Sequence, residues 1–527
     1  MVKKISATAA LFLLFLLCAV IFVCFLWAVL PVFSGKSAVS IAKITKISAF
    51  TLFQASLSTL IALIIGLPAA FFSSRREFLG RRLLLSLSSV PFCVPSLIVA
   101  LGFVGAFGIS GTANKVLMFL FQKDEPPLLF LYSFRGLIIA QGFYNFPIAM
   151  KTVGDAWART REESADAART LGASEARIFR TITFFQLLPS IISASLPIFI
   201  YCFMSFMLVL LFGAVGTTTL EVEIYRATRI FGDLPLAGKL ALFETSVALI
   251  FVCLQCLAEE KSKRSRGIKS TFAKRKKIKR LSEIVPFFLV MLLIFVFFAL
   301  PLIGILTNAL FPAKSVNGVK MPFLPFLNVL RFNGFFLALK GTLFSGVCTA
   351  FVCTIAGFTY ASILSLFRST PIRRAIPMIP LSLSSVVLAL GLMRLFGSSG
   401  GFLSLVLAQS ALGWPLAFRQ IAPALSRLPK KTLDAAKILS KNTLDIPFRL
   451  FLSVAKKNLL SAFGFCFALS AGDTTLPLVL ALPKFDTLAL FTYRLAGAYR
   501  FHEACASGLL LALICALVFA LSSMAQK

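Results

Sequence analysis

This sequence is short of charge, and what charge it has is mostly of one sign. Only 14% of its 527 residues are Asp, Glu, Lys or Arg, where a soluble protein carries roughly a quarter. Acidic residues number 20 against 53 basic ones, a formal net charge of +33. The deficit excludes an ordinary cytosolic enzyme, and an apolar content of 58% excludes a disordered basic protein. Histidine occurs once, at His502, so a multi-histidine metal centre is excluded. No G-x-x-x-x-G-K-[ST] loop is present; Gly232 to Lys239 has the wrong spacing and runs into Leu240. H-E-x-x-H and G-x-S-x-G are missing as well, which removes those two routes to hydrolysis. The glycines around Ser398 and Ser399 read instead as a short outside turn. The eleven cysteines are scattered, mostly through apolar runs, where a free thiol behaves as a small hydrophobe. Cys253 and Cys256 form a C-x-x-C without a second pair, which favours packing over redox or metal chemistry.

What fills the chain is membrane-length apolar sequence, with 57 phenylalanines. A bilayer needs about 20 apolar residues per helix, and twelve segments qualify. They are 8–33, 50–73, 83–109, 127–150, 190–213, 236–257, 285–311, 335–365, 375–397, 402–420, 458–480 and 504–523. The first follows Lys3 and Lys4 but is too long for a cleaved signal peptide, so it is expected to remain as an anchor. Basic residues set the orientation. With Lys3 and Lys4 inside, Arg75, Arg76, Arg81, Arg82, the 151–189 loop, Arg368–Arg374 and the 421–457 loop all fall inside. So does the 259–283 linker, which holds eleven Lys and Arg between Lys261 and Arg280. Lys36, Lys43 and Lys46 are outside but form no comparable cluster. Both termini come out cytoplasmic. The fold expected is an all-α polytopic membrane protein.

The chain is also a duplication. Residues 136–172 laid on 404–440, a shift of 268, agree at eleven of 37 positions without a gap. Ala140-Gln141 falls on Ala408-Gln409, Pro147 on Pro415, and Asp166-Ala167-Ala168 on Asp434-Ala435-Ala436. The same shift carries Thr219-Leu220 and Tyr225-Arg226 onto Thr487-Leu488 and Tyr493-Arg494. Ala100-Leu101-Gly102 matches Ala389-Leu390-Gly391 at a shift of 289. Six spans separate the copies, an even number, so the repeats lie parallel in the membrane. The expected division is 1–258 for one half, 259–283 for the basic linker and 284–527 for the other half.

In each half the longest inside loop lies between the fourth and fifth spans. The first reads EESADAARTLGASEARIFRTITFFQLLP, residues 162–189, and its counterpart occupies 430–457. An acid followed by Ala-Ala, with Gly172 six residues after Asp166, predicts a short helix, a glycine turn and a second helix returning to the membrane. This spacing resembles the EAA loop of ABC-importer permeases, although Asp166 stands for the usual Glu and Ser440 replaces the glycine in the second copy. Both halves resemble the fused two-half permeases of ferric-iron, putrescine and thiamine importers, the thiamine branch above all. The stretches that carry this are Tyr132 to Met150, Thr218 to Tyr225, and Leu469 to Asp473 followed by Tyr493, Gly497, Tyr499 and Arg500.

The resemblance implies a type I ABC importer permease of a bacterial inner membrane, binding no cofactor and no nucleic acid. It implies two copies of a cytoplasmic ATPase, which bind the ATP, and an extracytoplasmic solute-binding protein. The docking residues carried over are Asp166, Ala167, Ala168 and Gly172 in one loop and Asp434, Ala435, Ala436 and Ser440 in the other. A major-facilitator transporter shares the twelve-span, two-half plan, but its signature loop is expected between spans two and three.

Charges within a bilayer are costly and mark function. Asp473, in Ala471-Gly472-Asp473-Thr474-Thr475, is either a carboxylate lining the pathway or the N-cap of a broken helix. Its counterpart in the first half is Ser205. Asn145, Gln141 and Gln409 are pathway candidates or interhelical hydrogen-bonding groups. Glu221, Glu223, Tyr225 and Arg226 read as an outside loop, either solvated or in contact with a delivering protein.

Overall fold

The computed structural model describes residues 2–33, 41–87, 94–160, 163–213, 218–265, 275–278, 281–311, 322–367, 370–397, 401–440, 442, 445–482 and 485–524. Expectations placed on Lys36, Glu162, Arg368, the Ser398–Ser399 turn and linker residues 266–274 and 279–280 lie outside these. The described residues are mostly helical, as a bilayer demands of any backbone whose polar groups must be satisfied internally.

The first half runs α1 (Val2–Val29), α2 (Ile41–Arg75), α3 (Ser96–Phe107) and α4 (Phe134–Trp157). The long loop contributes α5 (Glu163–Thr170) and α6 (Glu175–Ile178) before α7 (Phe184–Phe203). Then come α8 (Met207–Phe212), α9 (Leu220–Arg226) and α10 (Leu234–Ser265). The second half repeats this with α11 (Leu281–Ile294), α12 (Leu300–Leu310), α13 (Phe335–Leu366), α14 (Ser385–Phe396) and α15 (Phe402–Ser426). It ends with α16 (Lys430–Leu439), α17 (Leu452–Gly472), α18 (Thr475–Leu480), α19 (Leu488–Gly497) and α20 (Phe501–Met524).

Among the described residues ten helices are long and apolar enough to cross a membrane, eleven when the pair Arg373–Ser382 and Ser385–Phe396, bent by 77°, counts as one broken span. A helix, α4, stands at the fourth expected position, displaced from 127–150, but Gln141, Asn145, Lys151 and Asp155 leave it outside the helices apolar enough to cross a membrane, so the expected twelve spans are not all met among the described residues. The fifth and eleventh spans begin at Glu175 and Pro447, earlier than the expected 190 and 458. The cause is the same in both halves. A π-turn, Phe179–Thr183 in one and Pro447–Phe451 in the other, carries the end of the loop straight into the span.

The duplication is visible in hydrogen bonds, not only in letters. Thr51 accepts from the backbone N–H of Leu220 at 3.1 Å, and Thr342 from that of Leu488 at 2.7 Å. Ser58 donates to Gln141 Oε1 at 2.8 Å, and Thr349 to Gln409 Oε1 at 3.2 Å. Each half thus pins its second helix to its fourth and to its last loop in the same way.

The halves also exchange a helix. The first span of each packs on the third span of the other, α1 on α14 and α12 on α3. The repeated Ala-Leu-Gly explains how. A Cβ on Gly391 would stand 2.1 Å from the Cys24 carbonyl, and one on Gly102 would stand 3.0 Å from the Pro301 carbonyl. Glycine at these points lets two helix backbones touch. Outer faces carry exposed Phe15, Phe53 and Phe288, the lipid-facing counterpart of the buried core. At the end of the bundle carrying the long loops, Arg76 and Glu77 pair in parallel with Lys276 and Lys277 of the linker. Arg76 also holds Glu283 at 2.6 and 3.0 Å, so the linker is anchored to the first half.

Candidate functional site

Two places gather the chemistry: the long loops and the centre of the bundle. In the first loop α5 ends at a Schellman turn. Ala173 N–H donates to Ala168 O at 3.0 Å and Gly172 N–H to Arg169 O at 2.9 Å. Gly172 has φ +81°, a left-handed conformation that strains any residue with a Cβ. Arg169 spans the turn, meeting Asp166 at 2.5 Å and Glu175 at 2.7 and 3.1 Å. Those hydrogen bonds, Glu175 first, raise the Arg169 pKa above its ordinary value. Ser174 caps the second helix, accepting from Arg177 N–H at 3.4 Å.

The second loop has the same first helix and a different exit. Ser440 is extended, with φ −84° and ψ 127°, so no left-handed residue is needed. Sequence reasoning missed what both helices present. Leu171 is 88% exposed, and its equivalent Leu439 is 85% exposed beside Ile438 at the same value. These apolar side chains stand out on helices that are otherwise largely polar and charged. Their registration at a shift of 268 was the available signal.

In the bundle centre the structure brings Asp473 and Gln409 together. Asp473 sits at the break between α17 and α18, and Oδ1 accepts from the Thr475 and Leu476 N–H groups at 3.0 and 3.4 Å. That is an N-cap. Its Oδ2 lies 3.4 Å from Gln409 Nε2, and the same residue lines a cavity of about 260 Å³ with Gln409, Tyr144, Ser385 and Cys466. One side chain thus both caps α18 and lines the cavity. Gln409 is held by Ser470, which donates to its Oε1 at 2.6 Å and accepts from its Nε2 through the backbone carbonyl at 3.1 Å. Ser205 occupies the corresponding break between α7 and α8.

Gln141 and Asn145 do not reach this cavity. Gln141 bonds to Gln54 and Ser58 of α2. Asn145 donates to Gln141 O at 3.0 Å and to Cys202 Sγ at 3.5 Å. Each thus hydrogen-bonds to a neighbouring helix, Gln141 to α2 and Asn145 to α7. A correction concerns the supposed outside loop: Glu221 and Glu223 are only 2% and 5% exposed. Glu223 takes Lys43 at 3.4 Å and the Thr218 hydroxyl at 3.1 Å, and Tyr225 packs edge-on against Phe206. Segment α9 is folded inward because Leu220, Val222 and Ile224 are buried with the glutamates. Glu244 on α10, fully buried, was also missed. Its signal was the one that singled out Asp473, an acid in an apolar span. Among the described residues no cysteine, Cys253 and Cys256 included, forms a disulfide.

A helix-swapped, duplicated bundle with paired loop helices at one end is the architecture of a permease that works against partner subunits. Residues 60–259 match the family of binding-protein-dependent transport system inner membrane components. Relatives also match through both halves, so the chain is similar along most of its length to fused two-half permease subunits of ABC transporters, a family in which a separate subunit hydrolyses the ATP. The thiamine transport system permease protein ThiP of Haemophilus influenzae is 26% identical over 484 residues, 89% of this chain and 86% of that one. ThiP of Salmonella typhimurium is 25% identical over 496 residues, with the same two shares. A putative 2-aminoethylphosphonate transport system permease protein, PhnU of Salmonella choleraesuis, is 28% identical over 216 residues, 38% of this chain and 76% of that one.

Proposed function

We propose that this chain is the permease of an ATP-driven thiamine importer, passing substrate from a solute-binding protein to the cytoplasm by alternating access. The observation that carries it is the likeness to thiamine permeases through both halves, 89% of the chain. A carboxylate at the edge of the central cavity, Asp473, suits a cargo with a permanent positive charge. The halves are 1–258 and 284–527, joined by the 259–283 linker, with both termini cytoplasmic in an inner membrane.

Two ATPase copies dock at the two loops, one on Asp166, Ala167, Ala168 and Gly172, the other on Asp434, Ala435, Ala436 and Ser440. Exposed Leu171, Ile438 and Leu439 give those contacts an apolar centre. ATP-driven closure of the ATPases rocks the halves, and the exchanged first helices make them move together. No cofactor is bound by this chain.

The test is uptake of labelled thiamine by a strain lacking its own importer, expressing this chain with its ATPase and binding protein. Ferric iron and putrescine are run in parallel. ATP-dependent thiamine accumulation supports the reading. Iron or putrescine uptake without thiamine uptake keeps the permease and replaces the cargo.

A further inference from the structure

Gly413 lies in α15, one turn after Gln409, and lines the central cavity. A glycine weakens a helix interior, so its place there needs a reason. Backbone conformation does not supply one, because Gly413 is not among the left-handed glycines. Nor does Pro415 two residues on, since the repeat keeps that proline as Pro147 with Asn145 two residues before it. Helix packing does not require a glycine either. Among the described residues a Cβ built on Gly413 meets a single atom of another helix within 4 Å, the Cys353 sulfur at 2.8 Å. A side-chain tip can swing away. At Gly357, by contrast, the Cβ would stand 2.7 Å from the backbone nitrogen of Phe418, which cannot.

The repeat shows what the glycine leaves open. At a shift of 268 Gly413 answers to Asn145, Gln409 to Gln141 and Ser470 to Cys202. In the first half the Asn145 side chain crosses to α7 and donates to Cys202 Sγ at 3.5 Å. In the second half no side chain leaves position 413, and Gly413 and Ser470 both line the cavity of about 260 Å³. Cys353, Cys466 and Leu416 give that cavity apolar walls, the two thiols being turned to the α15 carbonyls of Ser410 at 3.7 Å and Gly413 at 3.9 Å. Asp473 and Gln409 add a charged and a hydrogen-bonding group. Apolar walls with a few placed polar groups are the usual make-up of a small-molecule site. With a carboxylate as its charge, this one suits a cation carried on an apolar body.

We propose that Gly413 determines the size of the cargo: it leaves open in the second half the space that Asn145 fills in the first, and the apolar body of an organic cation enters there with its charge toward Asp473. This deepens the reading of a cationic cargo and rests on the cavity carrying that cargo, not on the cargo being thiamine. The experiment uses the chain assembled with its ATPase in nanodiscs. It reads the thermal unfolding midpoint with and without thiamine, tetraethylammonium and the smaller tetramethylammonium, because a ligand that binds only the folded state raises that midpoint. All three are expected to raise it in the unaltered complex. Gly413→Asn is expected to abolish the rise with thiamine and tetraethylammonium and to keep it with tetramethylammonium. Gly413→Ala displaces only the Cys353 thiol and serves if the Asn variant does not assemble. It is expected to raise the thiamine concentration for a half-maximal rise at least about tenfold, as one added methyl in a pocket can, and to leave that for tetramethylammonium unchanged. A structural role would instead lower the ligand-free midpoint and weaken all three rises alike, which overturns the proposal. So does an undiminished thiamine and tetraethylammonium response in both variants, or no rise with any cation in the unaltered complex. A tetraethylammonium rise lost in Gly413→Asn, with no thiamine rise at all, upholds the role of Gly413 and overturns the thiamine reading.

Discussion

Gln409 reaches a carboxylate, with Nε2 3.4 Å from Asp473 Oδ2, whereas the side chain of its repeat partner Gln141 bonds to Gln54 and Ser58. Duplication made the two glutamines equivalent, and Asp473 against Ser205 makes them different. The charge at the two equivalent helix breaks is therefore one-sided, present at Asp473 and absent at Ser205. Capping and charge at Asp473 can be separated experimentally. Asn caps a helix about as well as Asp, while Ala loses about 1 kcal/mol of cap. Asp473→Asn is expected to keep thermal stability and lower cargo uptake at least about tenfold, a factor worth about 1.4 kcal/mol. Asp473→Ala is expected to lower both. Normal uptake by the Asn variant leaves Asp473 as a cap and nothing more.

The two loops make an unequal pair as well. Gly172 is left-handed at φ +81°, with nothing within 4 Å of where a Cβ would point, so a side chain there is strained but not blocked. Ser440 is extended and tolerates any residue. Gly172→Ala costs about 1 kcal/mol through backbone strain alone, and Gly172→Asp adds charge to the proposed contact. Co-purification of the ATPase is expected to weaken with the first and vanish with the second, while membrane insertion persists. Ser440→Ala is expected to change neither. Full ATPase retention in Gly172→Asp would remove the first loop from the docking surface.

Much of this was legible in the sequence, and the failures have physical causes. Membrane class, duplication and the glycine turn follow from apolar length, register and backbone freedom, all local or periodic properties. Helix starts near 190 and 458 were misplaced because hydropathy marks where lipid begins, and the π-turns carry each helix some ten residues further into polar sequence. Glu221 looked like loop charge because it lies between two spans. Only the tertiary packing of α9 against α10 and α14 shows that this connection is folded back into the bundle. The swap of first helices had a trace in the repeated Ala-Leu-Gly, but a glycine does not name its partner.

Leu171 and Leu439 give the docking proposal a test independent of backbone strain. Both are exposed and touch little of their own chain, so replacing them leaves stability within about 0.5 kcal/mol. Contact residues at an interface centre behave otherwise. Leu171→Ser and Leu439→Ser are each expected to weaken ATPase binding, and together to abolish it, at an unchanged unfolding midpoint. ATPase affinity is the measurement, and binding unaffected by the double variant would put the contact elsewhere.

The exchanged helices carry the last prediction. Gly391 has 2.1 Å between a built Cβ and the Cys24 carbonyl, against 3.0 Å between Gly102 and the Pro301 carbonyl. Both obstacles are backbone, which cannot swing aside, so the closer one dominates. Gly391→Ala forces α1 away from α14 and is expected to cost about 1–3 kcal/mol, as overpacking does; Gly102→Ala is expected to cost less. Retention of monodisperse protein after heating in detergent ranks the two. The same geometry predicts that cutting the chain within 266–274 leaves the halves together, because each holds the other's first helix. Halves that separate on cutting, with Gly391→Ala no worse than Gly102→Ala, would mean the crossing contacts do not hold the two halves to one another.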